Sequence, residues 1–156
     1  MSFVVTGLPS EPFQHLFGLS DEALAGLGVV RKTVDAPVGF PCRITLEDAP
    51  VGETVLLLNY EHQPAETPYR SRHAIFVREG RHESARYVDE APPALAARRY
   101  ISLRAFDGQG NIVGSDVAPG TDLPPAIEKL LALPDTAYIH AHNAGHGCYA
   151  ARIDRA

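Results

Sequence analysis

Three of the chain's seven histidines fall within seven positions, in the segment Tyr138-Ile139-His140-Ala141-His142-Asn143-Ala144-Gly145-His146-Gly147-Cys148-Tyr149. On a β-strand, His140 and His142 point to one face with Cα atoms roughly 6.6 Å apart. Two imidazoles so placed can hold a divalent metal ion between them at about 2.0–2.1 Å. His146, flanked by glycines where the chain can turn back, is the candidate third metal ligand. His62 or Glu61 would complete such a site from a neighbouring strand end. The plainer alternative is that His-x-His on a strand is a half-buried polar pair with no metal. No Cys or carboxylate stands at a second fixed ligand spacing.

Cys148 suggests different chemistry, a thiolate nucleophile with His140, His142 or His146 as its base. It stands at the start of an expected strand, however, and so lacks the helix N-terminus that often activates a thiol. Packing as a small buried residue beside Tyr149 is the simpler account. A third pattern lies in Arg43, Arg70, Arg104 and Arg152, each within or beside an apolar strand segment. A guanidinium among apolar neighbours needs an anionic partner. Glu47, Asp48, Asp107 and Asp154 could supply it internally, and a bound anion could supply it from outside.

The elements that must position these residues are short. Thirteen prolines and thirteen glycines in 156 residues imply many turns. Phe3–Thr6 reads as a strand. Ser10 and Ser20 each look like the start of a two-turn helix. Strands are expected at 30–34, 43–46, 54–58, 73–77 and 100–106, with the Leu56-Leu57-Leu58 run placed centrally. Glu61 to Pro68 reads as a polar loop, and residues 80–99 carry no clear pattern. Asp107-Gly108-Gln109-Gly110-Asn111 is a hairpin loop. A helix over 123–133 presents Ile127, Leu130 and Leu131 as one stripe, and the tail forms a second hairpin. In its first strand Tyr138, His140 and His142 share one face, with Ile139 and Ala141 on the other. Helices do not alternate regularly with strands, so the expected fold is α+β: a largely antiparallel curved sheet with about three short helices, in one domain over residues 1–156.

Composition removes several functions. The net charge of −5 speaks against a general nucleic-acid binder, and Tyr and Phe do not interleave with a Lys/Arg stripe. There is no Walker loop, no dinucleotide fingerprint, no nucleophile elbow and no His-Glu-x-x-His. No apolar stretch approaches the ~20 residues that span a bilayer. The N-terminus lacks the basic and apolar regions of a secretory signal, so a cytoplasmic protein is expected.

Several ordered segments resemble a family of small bacterial proteins catalogued as domain of unknown function 1203. They are Gly39-Phe40-Pro41-Cys42-Arg43, Leu56-Leu57-Leu58-Asn59-Tyr60, Pro68-Tyr69-Arg70, Ile75-Phe76-Val77-Arg78, and the tail from Tyr138-Ile139-His140 to Cys148-Tyr149-Ala150-Ala151-Arg152. The resemblance covers essentially the whole chain and implies a bacterial protein. It brings no activity, cofactor or catalytic residue. Family members often carry Gly-Pro before the Ile-Phe-Val strand, where this chain has Arg72-His73-Ala74, which argues against a shared role for His73.

Three readings follow from different classes. The first is a polar pocket lined by His140, His142, Cys148 and one or more of Arg43, Arg70 and Arg104, which binds a small anionic molecule with or without a divalent metal. The second is an enzyme in which His140 and His142 hold a metal that polarises an oxygen or activates water. The third is a structural or interaction protein without a small ligand, a homodimer formed through an exposed strand edge. The two cysteines, Cys42 and Cys148, should both be reduced. Titrating thiols in the unfolded protein without reductant should find both of them free; finding neither would overturn the expectation of a reducing compartment.

Overall fold

The computed structural model describes residues 1–156 as nine strands and three α-helices with two short 3-10 segments. β1 (Phe3–Thr6) is followed by a 3-10 turn over Glu11–Leu16, α1 (Asp21–Gly26) and β2 (Val30–Thr33). β3 (Thr54–Gln63), β4 (Ser71–Arg78), β5 (Arg86–Val88) and α2 (Pro93–Ala96) come next. The chain closes with β6 (Tyr100–Phe106), β7 (Ile112–Pro119), α3 (Leu123–Leu131), β8 (Tyr138–Asn143) and β9 (Tyr149–Arg155). All strand pairings are antiparallel, and the fold is α+β. Two open sheets replace the single sheet of the sequence reading, one ordered β5-β1-β9-β8-β6-β7 and the other β2-β3-β4. No helix is long and apolar enough to cross a membrane.

Two cores hold the sheets. The larger sheet packs Ile101, Leu103, Ile139, Ala141 and Ile153 against Leu123, Ile127, Leu130 and Leu131 of α3. The smaller sheet packs Leu56, Leu58, Ile75 and Val77 against Phe13, Leu16 and Leu24 of the N-terminal helical segments. The Ser20 side chain caps α1 by accepting from the Ala23 N–H at 3.1 Å, whereas Ser10 makes no such cap and its segment stays 3-10. As expected, the β3 leucines lie in the central strand of their sheet. The Asp107 loop forms the predicted hairpin: the Asp107 and Asn111 backbones pair, and the Asp107 carboxylate accepts from the Gln109 and Asn111 N–H groups.

Two parts of the sequence reading are corrected. Residues 43–46 form no strand. Leu46 takes a left-handed φ of 55°, and its N–H returns to the Cys42 carbonyl. The apolar alternation there has another cause, because Cys42 and Ile44 enter the smaller core while Leu46 enters the larger. This loop is tied to the segment that follows β1 and to β4: the Leu8 N–H donates to the Arg43 carbonyl at 2.8 Å, and the Arg43 N–H to the Phe76 carbonyl at 3.0 Å. Gly7 permits the approach, since a Cβ there would collide with the Ile44 carbonyl. The second correction is that Glu61, His62 and Gln63 belong to β3, which runs on past a register shift between Tyr60 and Gln63. Between residues 80 and 99, β5 is secured when the Asp89 carboxylate accepts from the Phe3 N–H and the Ser2 hydroxyl.

The α3 stripe is buried as the spacing requires, with Leu130 only 3% exposed. Leu130→Ala should therefore cost about 2–5 kcal/mol in urea unfolding. A loss below about 1 kcal/mol would show that α3 does not anchor the larger sheet.

Candidate functional site

The alternation of β8 places the site. Ile139 and Ala141 face α3, so His140 and His142 face the other side of the sheet. There the end of β3 crosses, bringing His62 to ring-centroid distances of 6.0 Å from His140 and 5.0 Å from His142. A ring nitrogen from each of the three lies within 4.8 Å of the others. All three rings are buried, at 8%, 4% and 1% exposure for His62, His140 and His142. Strand register lays Arg104 of β6, His140 and Arg152 of β9 in one row. The next row holds Ser102, His142 and Tyr149. An irregularity in β9 puts Tyr149, and not Ala150, opposite His142. Tyr149 thereby stacks on His62 at 5.1 Å and 7°.

Hydrogen bonds orient part of the cluster. His142 Nδ1 lies 2.9 Å from the Gly147 carbonyl, which can only accept, so Nδ1 carries the proton and Nε2 keeps its lone pair. Arg104 Nη1 is 3.5 Å from that Nε2. His62 Nε2 is 2.6 Å from His73 Nδ1, and one of these neutral rings donates to the other. The Nδ1 atoms of His62 and His140 are buried with no partner. Burial holds the His62 pKa down to about 4, with His73 and Arg104 adding repulsion. Burial likewise lowers His140 and His142 to about 3, with neighbouring histidines and Arg104 opposing the charged form. At neutral pH these imidazoles are uncharged.

Beside the cluster lies a cavity of about 790 Å³. Its walls come from Gly39, Pro41 and Arg43, from Leu57, His73, Ala74 and Phe76 of the smaller sheet, from Arg98 to Tyr100, and from the 143–148 loop. Arg43 is 3% exposed. It donates to the Tyr149 carbonyl at 2.9 Å, the Pro41 carbonyl at 2.7 Å and Cys148 Sγ at 3.3 Å, and no carboxylate reaches it. Burial pushes its pKa down, partly offset by the Cys148 sulfur. Arg104 also lacks a carboxylate partner. Glu47 pairs with Arg78, Asp48 with Arg98 and Asp154 with Arg152.

The candidate residues thus separate into two groups and an outlier. Arg43, His146 and Cys148 line the cavity, while His140, His142 and Arg104 form the cluster with His62. His146 is outside the trio whose nitrogens converge. Arg70 belongs to neither, being exposed and paired with Glu61 at 3.0 Å. Cys148 Sγ receives N–H groups from Arg43 and Asn143, and no histidine hydrogen-bonds to it. His73 is the residue the sequence missed. It lines the cavity and touches His62, so it joins the two groups. It faces Tyr60 across the β3–β4 pair, a long-range pairing with no local signature in the sequence.

The buried rings set a pH dependence. His140 takes up a proton near pH 6.5 when unfolded but only near 3 when folded. The unfolded state is then the proton binder, and stability falls as the pH drops below about 6.5. For His140 the loss is about 1.4 kcal/mol per pH unit down to about pH 4. Urea unfolding of chelator-treated protein between pH 7 and 4.5 should show a shallower acid loss in His140→Gln than in the wild type. Equal slopes would mean that His140 is not buried uncharged.

No curated protein and no solved structure matches the chain. A family model described as a protein of unknown function, DUF1203, matches residues 39–155. That span takes in Arg43, the β3–β4 hairpin, β6 and the whole tail hairpin. The chain belongs to the DUF1203 family.

Proposed function

We propose that the protein binds a small anionic molecule, a carboxylate or a phosphate, in the cavity walled by Arg43, Arg99, His73, His146 and Cys148. The observation that carries this reading is Arg43: a buried guanidinium that meets two carbonyls and a sulfur but no carboxylate. A buried charge without a counter-charge is costly, and a ligand anion relieves that cost. Arg99 supports the same reading. It is exposed at the cavity wall, lies over the Tyr100 ring at 5.5 Å, and forms no ion pair. Arg98, by contrast, is neutralised by Asp48 at 3.4 Å. The larger part of the wall is apolar, from Leu57, Ala74, Phe76 and Tyr100, which suits an organic anion with a hydrophobic body.

Thermal unfolding against a panel of carboxylates and phosphates tests this. A ligand at a hundred times its Kd stabilises by about 2.7 kcal/mol. That corresponds to several degrees in Tm for a chain of this size. Arg99→Gln should weaken the shift, and Arg43→Lys should abolish it while the protein still folds. A flat response across the panel, or a shift unchanged in both variants, contradicts the reading.

A further inference from the structure

We propose that His62, His140 and His142 form a binding site for one divalent transition-metal ion, distinct from the anion cavity and joined to it through His73. The three residues come from strands of two different sheets, and their ring nitrogens already converge within 4.8 Å. A tetrahedral ion with bonds of about 2.0–2.1 Å holds its ligands about 3.4 Å apart. The rings then close by up to about 1.4 Å, within the reach of small side-chain rotations.

Four features fit an ion better than a plain polar core. First, the buried Nδ1 atoms of His62 and His140 have no protein partner, which is costly unless something else satisfies them. Second, the His142 Nδ1–H donates to the Gly147 carbonyl, the backing that fixes the tautomer of a metal-binding imidazole and leaves Nε2 to ligate. Third, His62 Nε2–H donating to His73 Nδ1 gives His62 the same backing and leaves its Nδ1 to ligate. Fourth, the rings are uncharged at neutral pH, the state that binds metal.

Three imidazoles without a thiolate or carboxylate select zinc, cobalt, nickel, copper or ferrous iron over calcium or magnesium. Three protein ligands leave a position open. Arg104 Nη1 donates to His142 Nε2 at 3.5 Å, so an ion ligated by Nε2 displaces that hydrogen bond, and the freed guanidinium favours an ion that carries an anion in the open position. Bound metal would also tie β3 to β8 and thereby fasten the smaller sheet to the larger.

The test uses untagged full-length protein, stripped with a chelator and titrated with Co²⁺. The expected result is about one equivalent per chain, visible d–d absorption of a four-coordinate nitrogen and oxygen site, and a higher Tm. His146→Ala should keep this uptake and His62→Asn should lose it. Should His62→Asn fail to fold, proton NMR of the Co²⁺ wild type decides, with paramagnetically shifted, exchangeable N–H signals from three imidazoles expected. Uptake below about 0.1 equivalent in the wild type overturns the proposal. So does uptake that persists in His62→Asn, uptake that requires His146, or ligation by fewer than three imidazoles.

Discussion

The period-two alternation of β8, held between β6 and β9, is the constraint on which the rest depends. It sends Ile139 and Ala141 into the core under α3, and in doing so commits His140 and His142 to the opposite face. That face is not solvent. The β3–β4 hairpin covers it, so polar rings are buried there as firmly as leucines are on the other side. A one-residue slip of β8 would exchange the two sets and place imidazoles against the α3 stripe. The hydrophobic core on one side therefore fixes the chemistry on the other. Pairing on both flanks, to Ile101–Phe106 of β6 and to Tyr149–Ile153 of β9, leaves β8 no freedom to slip.

The second organising feature is a surplus of positive charge in the interior. Arg43 and Arg104 are desolvated and neither forms an ion pair, while Glu47, Asp48 and Asp154 are paired with other arginines. Ion pairs on the periphery, such as Arg31 with Glu79 at 2.7 Å, hold the N-terminal segments to the smaller sheet. That pair has the ordinary form, in which the guanidinium holds the Glu79 carboxyl down to about 2. At the cavity Arg98 has such a partner in Asp48, whereas Arg43 and Arg99 have none. Uncharged histidines and uncompensated guanidiniums side by side make a region that lacks negative charge, and both proposed ligands bring something that the region lacks. An anion answers Arg43. A metal with its anion answers the unpartnered Nδ1 atoms of His62 and His140, and Arg104.

Much of this was legible in the sequence because it rests on local periodicity. The shared face of His140 and His142, the α3 stripe and the Asp107 hairpin all follow from spacing and turn chemistry. What the sequence concealed lies where two distant elements meet. The Arg43–Leu46 alternation imitates a strand, because residues feeding two different cores also alternate. His62 stood only as one option for completing a metal site, and the polar residues after Tyr60 disguised the extension of β3 that delivers it. His73 was set aside, yet its pairing with Tyr60 across the β3–β4 hairpin places it beside His62, between cluster and cavity. Arg70 sits in an apolar context by sequence, but its strand-end position frees it to reach Glu61 in solvent.

The account stands or falls on whether the histidine cluster is buried and uncharged with the tautomer that Gly147 imposes. Long-range proton–nitrogen NMR of the imidazoles at pH 7, on chelator-treated protein, reads both properties directly. For His62, His140 and His142 the account predicts neutral-ring nitrogen shifts, with the His142 proton on Nδ1. Imidazolium shifts at His140 or His142, or a His142 proton on Nε2, would contradict it.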